Sequence, residues 1–154
     1  MELQLFIDRL KEGQVETFSS ELCPKAIGLE DAAISFTGKV GLEGTAYIAV
    51  DHLIIKLQAH AIVKVPCSIC NEETGIKIQV SNFYHTEPLS AIAGSVFDFT
   101  HLLREDILLQ VPQFTECHQG KCPERELIKK YIKKESVQLA PESPGPVHFP
   151  FSNL

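Results

Sequence analysis

The chain has 154 residues, of which 44% are apolar and 22% charged, and a formal net charge of −6. That length suits one domain with one core, and the net charge argues against an overall electrostatic grip on nucleic acid or anionic membrane. No apolar run approaches the roughly 18 residues that span a bilayer, so no membrane contact is expected.

The first half reads as strands. Residues 3–8 (LQLFID) and 15–19 (VETFS) are short extended segments. Ile34, Phe36, Gly38 and Val40 alternate with Ser35, Thr37 and Lys39, the period-two pattern of a half-buried strand. Gly41–Gly44 reads as a turn into TAYIAV (45–50), and Asp51–His52 as a second short connection. The clearest strand follows, with Ile55, Leu57, Ala59, Ala61, Val63 and Val65 on one face and Lys56, Gln58, His60 and Lys64 on the other. It runs into Pro66 and Cys67, where proline stops regular pairing. After the polar turn NEETG (71–75), Ile76, Ile78 and Val80 alternate with Lys77, Gln79 and Ser81. Residues 53–82 are therefore expected to form a long antiparallel hairpin with CSIC at its tip.

The pattern changes at Pro88. Asp98 or Thr100 can cap a helix carrying HLLREDILLQ, with Leu103 and Ile107 at i, i+4 and Pro112 as its stop. Pro123, as a first helical residue, opens a second helix, ERELIKKYIKK, whose apolar stripe is Leu127, Ile128, Tyr131 and Ile132. The last stretch holds four prolines between 136 and 150, so it reads as a disordered tail. The expected fold class is α+β, an antiparallel β-meander and hairpin half followed by two helices. Residues 1–135 are expected to form one domain and 136–154 a Pro-rich mobile tail.

The opening MELQLFIDRLKEG mixes acids into its apolar residues and has no small-residue cleavage site, so it does not read as a secretory signal. A cytoplasmic location is expected, in which five cysteines would stay reduced as thiols, metal ligands or redox groups. Cys67-x2-Cys70 at a tight turn can aim two sulfurs at one point, and Cys117-x4-Cys122 allows the same with a wider turn. Together they make a four-thiolate set for zinc that would clip the hairpin tip to the loop between the helices, with His118 available to replace a missing sulfur. Two alternatives stand beside it: cysteines merely tolerated in turns, and a dithiol oxidoreductase. The latter normally places its first cysteine at a helix N-terminus, whereas this motif lies between antiparallel strands. Cys23 lacks a partner in sequence and reads as a buried free thiol. No H-E-x-x-H, G-x-S-x-G, phosphate loop or dinucleotide fingerprint is present, so no enzyme and no small-molecule substrate are expected.

Between Gln119 and Lys134 six basic residues stand against two acids, a local net charge of +4. Arg125, Lys129, Lys130, Lys133 and Lys134 are accordingly candidates for contact with RNA phosphates or a protein partner. A solvated helix face is the alternative.

Four blocks carry a family resemblance. VPCSIC (65–70) is similar to a valine–x–Cys–x–Arg–Cys strand end, with Ile69 in the arginine position. DFTHLLREDILLQVPQFTEC (98–117) is similar to a run of Asp–Leu, Arg/Glu–Glu/Asp, Leu–x–Leu–Pro and Cys. GKCPERELI (120–128) matches a Gly–Leu–Cys–Pro block, and PFSNL (150–154) a Pro-Phe-Ala-x-Leu ending. In this order they resemble the YceD family of bacterial and plastid proteins, described as large ribosomal RNA subunit accumulation proteins. The resemblance implies a ribosome-biogenesis factor that binds large-subunit ribosomal RNA, or a ribosomal or assembly protein without RNA contact. It implies no defined catalytic activity.

Overall fold

The computed structural model describes residues 3–30 and 34–131. Along the chain run β1 (Gln4–Phe6), α1 (Ile7–Lys11), β2 (Glu16–Leu22), a 3-10 turn (Pro24–Ile27) and β3 (Ser35–Ala49). Then follow β4 (His52–Pro66), β5 (Glu73–Pro88), β6 (Val96–Asp98), α2 (Thr100–Leu109) and α3 (Arg125–Lys129). The chain divides into two units between Pro123 and Glu124, which places α3 in the second and every other element in the first. The expected α+β class is what forms. The Pro-rich segment 136–154 and the boundary at 135 lie outside the described residues.

In the first unit, β2-β3-β4-β5 make an antiparallel meander, each strand pairing with its neighbour in the chain. Alternation dictates which face is buried. Every odd residue of β4 from Leu53 to Val65 is buried and no even one is. The buried face packs into a core with Leu3, Leu5, Ile7 and Leu10 from the N-terminus and Phe99, Leu103 and Ile107 from the C-terminal side. Each such fully buried Leu or Ile contributes roughly 2 kcal/mol. The Phe18 and Phe99 rings lie 5.5 Å apart and join β2 to the start of α2.

The β4–β5 hairpin extends further than 53–82, from the pair His52↔Pro88 to Pro66↔Glu73. One bulge interrupts it, with Ser81 and Asn82 opposite the single residue Gln58. That extra residue changes the phase of β5, so burial moves from Ile78 and Val80 to Phe83.

Several sequence expectations are corrected. Gly41–Gly44 is not a turn but the middle of β3. A Cβ at Gly44 would lie 2.5 Å from the Lys56 carbonyl oxygen and 2.6 Å from Leu57 Cβ, and one at Gly41 would lie 2.2 Å from the His60 ring. These glycines serve close approach between strands, and in sequence that use looks the same as a turn. Residues 3–8 are extended only to Phe6, because Ile7 starts α1, which buries Ile7 and Leu10. β1 pairs with β6 from far along the chain. α2 forms as expected with Leu103 and Ile107 buried, but its N-cap position is Phe99, whose side chain makes no cap bond, rather than Asp98 or Thr100; Asp98, one residue earlier, accepts a hydrogen bond of 2.8 Å from Thr100 N–H. Arg104 Nε donates to the Gly28 carbonyl at 2.9 Å and ties α2 to the 3-10 turn. α3 begins at Arg125 with Pro123 outside it, and Leu127 and Tyr131 of the expected apolar stripe are exposed. Ile132 lies outside the described residues.

Candidate metal centre

Two turns build the site. The first leaves β4 at Pro66 and re-enters β5 at Glu73. Cys67 N–H donates to the Glu72 carbonyl at 2.8 Å, and Asn71 N–H donates to the Cys67 carbonyl at 3.0 Å. Closing so tight a turn puts Asn71 at φ 60°, a left-handed conformation that Asn tolerates better than most residues. The second turn follows α2. Cys117 opens three successive left-handed residues, His118 (φ 54°), Gln119 (φ 56°) and Gly120 (φ 85°), and Cys122 closes it. Only the third is a glycine, so the backbone carries strain at His118 and Gln119.

Hydrogen bonds lock the turns together. Ser68 N–H donates to the Thr115 carbonyl at 2.7 Å, and Thr115 N–H donates to Ser68 Oγ at 3.2 Å. Cys117 N–H points at Cys67 Sγ from 3.3 Å. The sulfurs of Cys67, Cys70, Cys117 and Cys122 consequently lie within 4.8 Å of one another. Three of the cysteines are buried and Cys70 is half-buried, and all are free thiols.

The Cys70–Cys117 sulfur separation is 3.7 Å. A tetrahedron of sulfurs at ~2.3 Å from a central ion has edges of ~3.8 Å, so this spacing fits a metal.

The electrostatics point the same way. N–H groups of Cys70, Cys117 and Ile69 face Cys67 Sγ and, against burial, hold its thiol down to about 6. Burial, followed by the sulfurs of Cys122, Cys70 and Cys67, drives the Cys117 thiol well above the ordinary range. At Cys70 the Glu72 N–H favours the thiolate, but burial and Cys67 outweigh it and the thiol is raised. The surroundings thus favour the thiolate at Cys67 and oppose it at Cys70 and Cys117. A divalent cation among them removes that opposition, because it favours every thiolate at once.

The four expected cysteines are thus brought together, and these residues could hold a metal ion. The sequence reading missed Glu72, whose backbone is bound into the first turn and whose side chain lies near Cys117 and His118. Cys23 is exposed at the start of the 3-10 turn rather than buried. Its side chain stands before Pro24, which takes the buried place itself. Of the basic candidates, Lys129 pairs with Glu126 and the Lys130 ammonium lies 5.0 Å from the centre of the Tyr131 ring. Arg125 is also on α3, whereas Lys133 and Lys134 lie outside the described residues. No helix among the described residues is long and apolar enough to cross a membrane.

No family model, curated protein or solved structure matches this chain.

Proposed function

We propose that this protein is a non-catalytic accessory factor for accumulation and processing of large-subunit ribosomal RNA and for large-subunit assembly. It acts by binding, with a zinc ion stapling the first unit. The observation that carries the metal part is the cluster of four cysteine sulfurs within 4.8 Å of one another. Four thiolates leave no open position for a substrate, the composition of a structural rather than catalytic zinc site. Soft sulfur ligands in a tetrahedral arrangement favour zinc over magnesium or calcium. Iron is the competitor for such a set, and metal analysis separates the two.

The ribosomal part rests on the four sequence blocks that resemble the YceD family. Its test is depletion of the protein in its own cells, followed by the ratio of large- to small-subunit ribosomal RNA. A fall in that ratio is expected; an unchanged ratio with normal large-subunit particles would remove the ribosomal reading.

A second reading keeps the assembly role but replaces RNA contact with protein contact. The pairing of Lys129 with Glu126 and the net charge of −6 favour it, because both weaken attraction to phosphates. A salt titration of binding to large-subunit RNA separates the two. Direct contact gives an affinity that falls steeply with salt, by about 0.7–0.9 in log–log slope for each phosphate neutralised. A flat response favours protein contact.

A further inference from the structure

Three ligand-bearing side chains form a second group that shares one member with the four-thiol cluster. Glu72, Cys117 and His118 each offer a ligand atom, and these lie within 4.8 Å of one another. Glu72 and His118 are exposed, whereas Cys117 is only 4% exposed. The group therefore leads from solvent to the cluster through a common sulfur.

The cluster itself is hard to reach. Cys67, Cys117 and Cys122 are 0%, 4% and 4% exposed and only Cys70 is half-buried, so three of the four sulfurs are too enclosed to receive a cation still wearing its hydration shell. Waters must be exchanged one at a time, and the first replacements must come from groups at the surface. A carboxylate and an imidazole suit that step, since both bind zinc and are easily displaced by thiolates. Their positions are set by the turns. Glu72 is anchored by its carbonyl to Cys67 N–H, and His118 directly follows Cys117 in the left-handed turn.

We propose that Glu72 and His118, with Cys117 as the shared ligand, form the entry port of the metal centre: a transient oxygen–nitrogen–sulfur site for a divalent cation. The cation exchanges water for Glu72 and His118 at the surface and binds Cys117. Cys67, Cys70 and Cys122 then displace the carboxylate and the imidazole while Cys117 stays bound. Each thiol that joins releases its proton to solvent. This inference rests on the metal reading above.

The test is stopped-flow uptake of Zn²⁺ and of Co²⁺ by the full chain, reduced and stripped of metal, with release measured by chelator challenge. Glu72→Gln removes the carboxylate charge. His118→Asn removes the imidazole and suits the left-handed backbone. In each, loading and release should slow on the order of tenfold, while the equilibrium constant and the final cobalt–thiolate spectrum stay those of wild type. Glu73→Gln, next in the chain and ion-paired with Lys64 at 3.7 Å, should load at the wild-type rate.

Unchanged rates in both port variants would overturn the port. So would equal slowing in Glu73→Gln, which would mean general charge attraction. A second metal per chain at equilibrium, lost in the port variants, would make the group a resident site and also overturn it. No uptake by wild type would sink the metal centre itself, a result distinct from all of these.

Discussion

Ser68 and Thr115, 47 residues apart, exchange two hydrogen bonds, one through each backbone N–H, and so hold the two cysteine turns side by side. The sulfurs are brought together by this frame as well as by any ion between them. Ser68→Ala leaves Thr115 N–H without its acceptor and should cost about 1 kcal/mol. Thr115 Oγ1, by contrast, is buried without a partner. Thr115→Val, similar in shape, should therefore be neutral or slightly stabilising. Urea titration of both variants checks the contrast, and a larger loss in Thr115→Val than in Ser68→Ala would contradict it.

Removing metal should leave the sheet intact but loosen the two turns. A ligand present at a hundredfold its dissociation constant adds ~2.7 kcal/mol, so chelation should lower the melting temperature by about 5–10 °C. Metal analysis of protein purified without added zinc should return one zinc per chain. Zero metal with five titratable thiols would refute the centre.

The left-handed turn at Cys117–Gly120 holds strain that glycine would relieve. Gln119→Gly should stabilise the metal-free chain by roughly 0.5–1 kcal/mol, the balance between relieved strain and added backbone freedom. Val50 offers a parallel case without sulfur nearby. It sits between β3 and β4 at φ 59° and is 99% exposed, so Val50→Gly loses no packing and should stabilise by a similar amount. Thermal melts of the two variants decide it; destabilisation of both would mean that their backbones are not strained.

Gly44 and Gly41 should separate sharply on substitution. At Gly44 the obstacle is backbone and a Cβ, neither able to move without shifting β4, so Gly44→Ala should cost about 2–4 kcal/mol. At Gly41 the obstacle is the His60 side chain, which can turn away, so Gly41→Ala should cost about 1 kcal/mol or less. Equal losses would show that both sites are equally rigid.

Much of this framework was legible beforehand. The strict alternation in β4 has one physical reading, and the hairpin with CSIC at its end follows from it. The Leu103–Ile107 pair and Pro112 similarly mark α2. The pairing of β1 with β6 left no trace, because three-residue strands contain too little periodicity to detect. The bulge at Ser81–Asn82 was hidden because a polar dipeptide on an exposed face breaks no visible rule. At the metal centre, spacing pointed to the four sulfurs. The strained turn went unread because Gln119 does not signal positive φ and a single histidine, His118, signals it only weakly.

Asp98 links α2 to pH. Thr100, through its hydroxyl and then its N–H, holds the Asp98 carboxyl below its ordinary value. A group with a lowered folded pKa stabilises fully above its unfolded value, ~3.9, and loses that contribution as pH falls through the folded value. Because Asp98 is exposed, the contribution is modest, about 0.5–1 kcal/mol. The difference in stability between wild type and Asp98→Ala should be present at pH 7 and vanish once the pH has fallen through the lowered folded value. A difference independent of pH would assign the effect to packing.

The order of the strands has a kinetic side. β2 to β5 pair with chain neighbours, whereas Cys117 reaches Cys67 across 50 residues. Short closures tend to form early and long ones late, so the sulfur cluster is expected to assemble on the native side of the folding barrier. Contacts made there change the rate of unfolding rather than that of folding. A metal ion bound there would then set the lifetime of the folded molecule, holding shut a sheet that would have formed as quickly without it.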